Sequence, residues 1–314
     1  MRFITVIILL ITYSIQSSAQ NYIAYYKGIN KAKISIIENN LESGVNYYHE
    51  TFENFEFVFA RDCFNALEVS SNLKDFEMMD YFLKRCLIQG VEFDYLQKNA
   101  LLNEYKQTRY WEPVLLIKDS LKNIYNKNVN WEIRAEINKM FTEDQRIRDL
   151  TDKNRFNLFS IRKLNKEFKE TDRKLVLRLI EITKQYGFPG ERLIGIDNSS
   201  MHPKVYTNRL TAGMPIVIFI HHFSQPNPTY NPLLIQEIQS GYLSNEHYAI
   251  ISDFQHKFGK EKYGVIPCYS DRFSPKTDAK TIDENRNNIY MISQSNAYAL
   301  NKTRLITPFW VGLY

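Results

Sequence analysis

An aspartate interrupts an otherwise apolar pattern at position 144. Ile133, Ile137, Met140, residue 144 and Ile147 recur at the spacing of one face of an α-helix. A carboxylate on a buried stripe is costly to desolvate unless a cation or hydrogen-bond donors meet it. Arg148, one turn further on, is within reach of Asp144. The pair reads in two ways, as a structural buried ion pair or as a site carboxylate held by a guanidinium. A second concentration of reactive side chains lies downstream. Five of the six histidines fall between His202 and His256, and His221-His222 close the apolar run TAGMPIVIFIHH. Adjacent histidines point to different sides of a helix or strand, and no H-E-x-x-H spacing is present, so no metal site is expected. The chain also lacks a G-x-S-x-G elbow, a Walker loop and a G-x-G-x-x-G turn, and no cofactor is expected.

The elements that must position these residues are mainly helical. Asn130 is placed to cap a helix from Trp131, the one that carries Asp144. Ile161, Leu164, Phe168, Leu175, Leu179, Ile182 and Tyr186 predict one long helix or two in line, stopped by Gly187 and Pro189. Residues 211–222 suit a buried strand by their β-branched content or a buried helix by their length. Asn231-Pro232 predicts a cap and a first-turn proline for a short helix ending at Gly241, and a further helix is expected over Glu246–His256. Gly259-Lys260, between Lys257-Phe258 and Lys262-Tyr263, predicts a small β-hairpin.

Upstream, residues 21 to about 128 read as helices with aromatic faces. Ala60, Cys63, Phe64 and Leu67, then Phe76, Met79, Leu83, Cys86 and Leu87, mark two helical faces, and Gly90 is the expected stop. The stretch from Phe57 to Gly90 resembles one tetratricopeptide-type hairpin, which implies a partner-binding groove; a plain helical bundle is the other reading. The polar run NIYNKNVN (123–130) offers the boundary between two units.

Composition bounds the rest. With 314 residues, 44% hydrophobic and 24% charged, the chain has room for one or two cored domains and is not disordered. A net charge of +5 is spread along the chain with acids interleaved, so no nucleic-acid stripe is expected. Mean hydropathy of −0.39 excludes a multi-span membrane protein. Arg2, the apolar core Phe3–Tyr13 and Ser17-Ser18-Ala19 form a secretory signal over residues 1–19, so an exported chain, periplasmic or secreted, with no stable membrane span after processing is expected. Three cysteines are too few for a disulfide scaffold. Cys63 and Cys86, on adjacent apolar stripes, are expected either as buried thiols or as a bridge. The resulting division is a signal at 1–19, a helical tetratricopeptide-like module at 20–128, a helical domain at 129–300 and a tail at 301–314.

The ordered series EDQRIR (143–148), QYGFPGERLIG (185–195), FIHH (219–222), ISDF (251–254), FGKEKYG (258–264) and IDENR (282–286) resembles the bacterial family of domain of unknown function 6624 over about residues 137–293. Asp144, Gln145, Arg148, Gly187, Pro189, His222, Asp253, Tyr263, Gly264 and Arg286 match that pattern. Phe188, His221, Phe254, Lys262 and Val265 depart from it, and 196–208 is longer. The resemblance implies a mainly helical domain and favours helix at 209–222, but it implies no particular reaction. Two functions follow as expectations. One is a non-enzymatic exported protein that binds a protein or peptide partner. The other is a hydrolase-like enzyme in which His222 acts as acid or base beside Asp144 or Asp253, while Arg148 or Arg286, with Gln145 and Tyr263, hold an anionic substrate. The departures from the family pattern favour binding.

Overall fold

A computed structural model describes residues 21–154, 156–197, 210–221, 230–258 and 266–306. These form fourteen α-helices and two short 3-10 turns, and no strand is present among the described residues. In chain order the helices are α1 (Tyr22–Ile37), α2 (Leu41–Glu53), α3 (Ala60–Leu73), α4 (Phe76–Ile88), α5 (Phe93–Lys98), α6 (Trp111–Asn128), α7 (Trp131–Lys153) and α8 (Leu158–Tyr186). There follow α9 (Glu191–Ile194), α10 (Met214–Ile220), α11 (Asn231–Gln239), α12 (Asn245–Phe258), α13 (Ala279–Asn288) and α14 (Gln294–Thr303). The mainly α class is therefore observed.

Local chemistry sets many of the boundaries. The side chains of Asn21, Asn40, Asp75, Asn130, Asp278 and Ser293 each accept a hydrogen bond from a first-turn N–H of the helix that follows. Gly90 (φ 86°) ends the α4 segment and Gly187 (φ 89°) ends α8, in the left-handed region where a side chain would strain the backbone. At Gly187 an added Cβ would also strike the ring of Tyr242. α8 is one continuous helix rather than two. For α11 the expected cap is corrected: Tyr230 precedes the helix, and Asn231 and Pro232 lie inside its first turn.

Of the TAGMPIVIFI stretch, Met214–Ile220 resolve as helix. Every residue of α10 is buried, with Pro215 in its first turn. It packs against α7 and α8 as well as α12. Surrounded by helices that offer no open backbone edge, this segment must pair its own N–H and C=O groups, and only a helix does so. The expected β-hairpin is corrected in part: Lys257 and Phe258 are the last residues of α12, while Gly259–Val265 lie outside the described residues.

The tetratricopeptide-like module with an open groove is not what the packing shows. α3 buries ten of its fourteen residues, among them Arg61, Asp62 and Asn65. It packs against α2 and α4, and Glu191 from α9 accepts the N–H of Ala60 at 2.9 Å. Most of α3 is therefore packed against neighbouring helices, not laid open as a repeat groove. α1 packs against α2, α11 and α14, tying the first helices to the last. Across 123–130 the structure forms a helix corner. Tyr125 is buried there, and its hydroxyl accepts from Arg134 at 3.3 Å, while Asn130 N–H donates to Leu193 O at 2.8 Å. One cluster of buried hydrophobic residues runs from Tyr22 to Ile306. Cys63 and Cys86 are buried free thiols, and Cys268 is also free.

Candidate functional site

Two polar clusters stand out. The first is built on the stripe of α7, whose Ile133, Ile137, Met140, Asp144 and Ile147 are all buried. Asp144, 1% exposed, receives Arg148 Nε at 3.2 and 3.3 Å and Gln145 Nε2 at 2.8 Å, and pairs with His221 Nδ1 at 2.8 Å. Arg148 Nη2 reaches on to Asp172 of α8 at 3.0 Å and to the carbonyl of His221 at 3.2 Å. The Arg148 guanidinium lies over the ring of Phe168, 4.6 Å from its centroid. Burial pushes both carboxyls up, but for Asp144 the bonds from His221 and Arg148 overturn this and hold its pKa below the ordinary value. Asp172 has Arg148 alone to offset burial, with the Asp144 charge beside it, and is pushed up to about 7.

An ionised Asp144 requires the proton of the His221–Asp144 bond to sit on Nδ1, which leaves Nε2 as the ring nitrogen not engaged by the carboxylate. That is the arrangement of a carboxylate-oriented acid–base histidine. Among the described residues, no three His, Cys, Asp or Glu side chains group so as to hold a metal ion.

The second cluster lines a cavity of about 250 Å³ between α1 and α3 on one side and α12, α13 and α14 on the other. Its floor carries Lys33 and Glu246, paired at 2.9 Å, and the buried Arg61. Burial alone would raise the Glu246 carboxyl, but Lys33 reverses this and holds it below the usual range. Arg61 also lines a small recess behind the cavity with Asp62 and Glu191, whose carboxyls burial pushes up to about 6 and about 8.

One wall is formed by Asp253 of α12 and Arg286 of α13. Tyr269 N–H donates to Asp253 Oδ1 at 2.6 Å, and Arg286 Nη1 donates to Tyr269 O at 3.0 Å. Arg286 Nε donates to Ile292 O at 2.7 Å. Arg286 is 7% exposed, and among the described residues no carboxylate lies within ion-pair distance of it. Burial pushes its pKa down and that of Asp253 up to about 7. Arg272 stands exposed at the rim, and Ile250, Phe273, Met291 and Leu300 supply an apolar wall.

The residues singled out in the sequence thus divide. Asp144, Gln145 and Arg148 meet in the first cluster, and Asp253 and Arg286 meet in the second. They do not converge on one cleft, because the cavity is lined by Asp253 and Arg286 and not by Asp144 or Arg148. His222 and Tyr263 lie outside the described residues. The imidazole on Asp144 belongs to His221. Sequence reasoning also missed Asp172, although the signal that finds Asp144 is present there: Asp172, Leu175, Val176 and Leu179 share one helical face, and all are buried. Lys33 and Arg61 carry no comparable signal, since nothing local shows that α1 and α3 face α12 and α13.

Compared with family models, curated proteins and solved structures, the chain finds no match.

Proposed function

We propose that this is an exported binding protein whose cleft between α1, α3 and α12–α14 takes up an anionic group on Arg286. One observation carries the reading: a buried guanidinium lines the cavity and donates to two neutral carbonyls, with no carboxylate among the described residues in ion-pair contact with it. Buried charges are ordinarily paired, and a guanidinium with donors to spare is matched by a carboxylate or phosphate. Export rests on the signal-like residues 1–19. The resemblance of the ordered motifs to the domain of unknown function 6624 family points to the same Asp253 and Arg286, since both belong to that series. The hydrolase-like alternative draws support from the His221–Asp144 bond, but that pair does not line the cavity.

The test is a thermal-shift panel of small anions (acetate, phosphate, sulfate, citrate) on the purified chain. An anion that binds the folded chain raises Tm by an amount that grows with the logarithm of its concentration above Kd. Arg286→Lys should keep the fold and weaken the shift, and Arg286→Gln should abolish it. An unchanged shift in both variants, or none in the wild type, would overturn the reading.

A further inference from the structure

We infer that the occupant of this cleft is a small amphipathic monoanion, a carboxylate joined to a short hydrocarbon or aromatic body. The inference rests on the anion-binding reading above and adds the ligand class to it. Three observations carry it. The first is charge. Lys33 is already matched by Glu246 at 2.9 Å, and Arg61 faces the acids Asp62, Glu191 and Glu246. Arg286 feels the charges of Glu246, Asp283 and Asp253 but forms no ion pair among the described residues, which leaves its guanidinium to take one negative charge from a ligand. A second negative charge on the ligand would meet the ionised Glu246 lining the same cavity, so one charge fits and two do not.

The second observation is the wall. Ile250 from α12, Phe273, Met291 and Leu300 from α14 line the same cavity as Arg286. An inorganic anion would leave this hydrocarbon surface wet, whereas an apolar body would cover it. The third is size. A volume of about 250 Å³ lies below the roughly 300–1,000 Å³ of sites for drug-sized ligands, which points to a body of a few carbons and not to a long acyl chain or a polymer. Exposed Arg272 at the rim adds attraction for an anion before entry.

Isothermal titration of the full chain with acetate, butyrate and hexanoate tests the class, with inorganic phosphate and hexylamine as charge controls. Each added methylene that enters the wall should tighten binding about fourfold. Phosphate should bind no tighter than acetate, and hexylamine at least about tenfold weaker than hexanoate. Met291→Ser should weaken hexanoate by a larger factor than acetate, and circular dichroism should confirm that it is folded. A flat series from acetate to hexanoate, or phosphate as the tightest probe, would overturn the amphipathic monoanion and leave the anion site standing. Absence of binding by every anion to folded protein would remove the anion site itself.

Discussion

Asp253 and Arg286 grip the same residue from opposite sides, the first accepting the N–H of Tyr269 at 2.6 Å and the second donating to its C=O at 3.0 Å. The consecutive helices α12 and α13 are thereby joined through one backbone residue of the segment between them. Two opposite charges come close to each other without forming an ion pair.

Asp253 has a consequence for stability against pH. Burial raises its carboxyl to about 7 in the folded state, against about 3.9 when unfolded. Between those values the native chain binds more protons than the unfolded one. The group's contribution is therefore full below about pH 4 and is lost as pH rises towards 7. Asp253→Asn, which keeps an acceptor for Tyr269 N–H, should flatten the urea-unfolding free energy over that window. A slope identical to wild type would show that the carboxyl is not raised.

Arg148 stands between two buried carboxylates, Asp144 at 3.1 Å and Asp172 at 3.0 Å. Arg148→Ala should cost about 3–5 kcal/mol, the range for stranding a buried charge. The loss should be larger at pH 8 than at pH 5.5, because Asp172 titrates near 7 and carries a proton at the lower pH. Equal losses at both values would remove Asp172 from the network.

His221 should hold the Asp144 carboxyl down. With the 2.8 Å bond to Nδ1 removed in His221→Ala, burial acts with less opposition and the Asp144 pKa should rise. Carboxyl-carbon NMR titration reads this directly. In the wild type the stability supplied by Asp144 is present above its unfolded pKa and is lost as pH falls through the depressed folded one, so the variant should unfold at higher pH on acidification.

Tyr125 anchors the corner between α6 and α7, packing against Gly90 and Gly195 and accepting a bond from Arg134. Tyr125→Ala should destabilise by about 3–5 kcal/mol, as for other buried aromatics. The wild type should melt in one calorimetric transition, because apolar packing is continuous from Tyr22 to Ile306. Two separate transitions would instead support an independent boundary at 123–130.

The three thiols are buried, and burial pushes each up, that of Cys268 to about 12. A disulfide-exchange reagent at pH 8 should modify none of them within minutes in native buffer and all three in urea. Prompt native labelling of Cys63 or Cys86 would contradict the packing of α3 against α4.

Much of the helical layout is local information and could be read in the chain. The Asn130 cap, the Gly90 and Gly187 stops and the apolar stripe of α7 follow from interactions within a few residues, and so does the Asp144–Arg148 pair one turn apart. The fate of TAGMPIVIFI was not local. Its composition suits either a strand or a helix, and its burial among α7, α8 and α12 settles the matter. The same limit applies to the sites. Helical periodicity finds a carboxylate on a stripe, but only tertiary contact seats His221 on Asp144, a separation of 77 residues, and Lys33 on Glu246, a separation of 213. The sequence by itself determined which faces had to be buried, because side-chain spacing fixes that over one turn. The tertiary structure alone decided which buried charges meet a partner and which, like Arg286, face a cavity, because such pairings depend on helices that are distant in the chain.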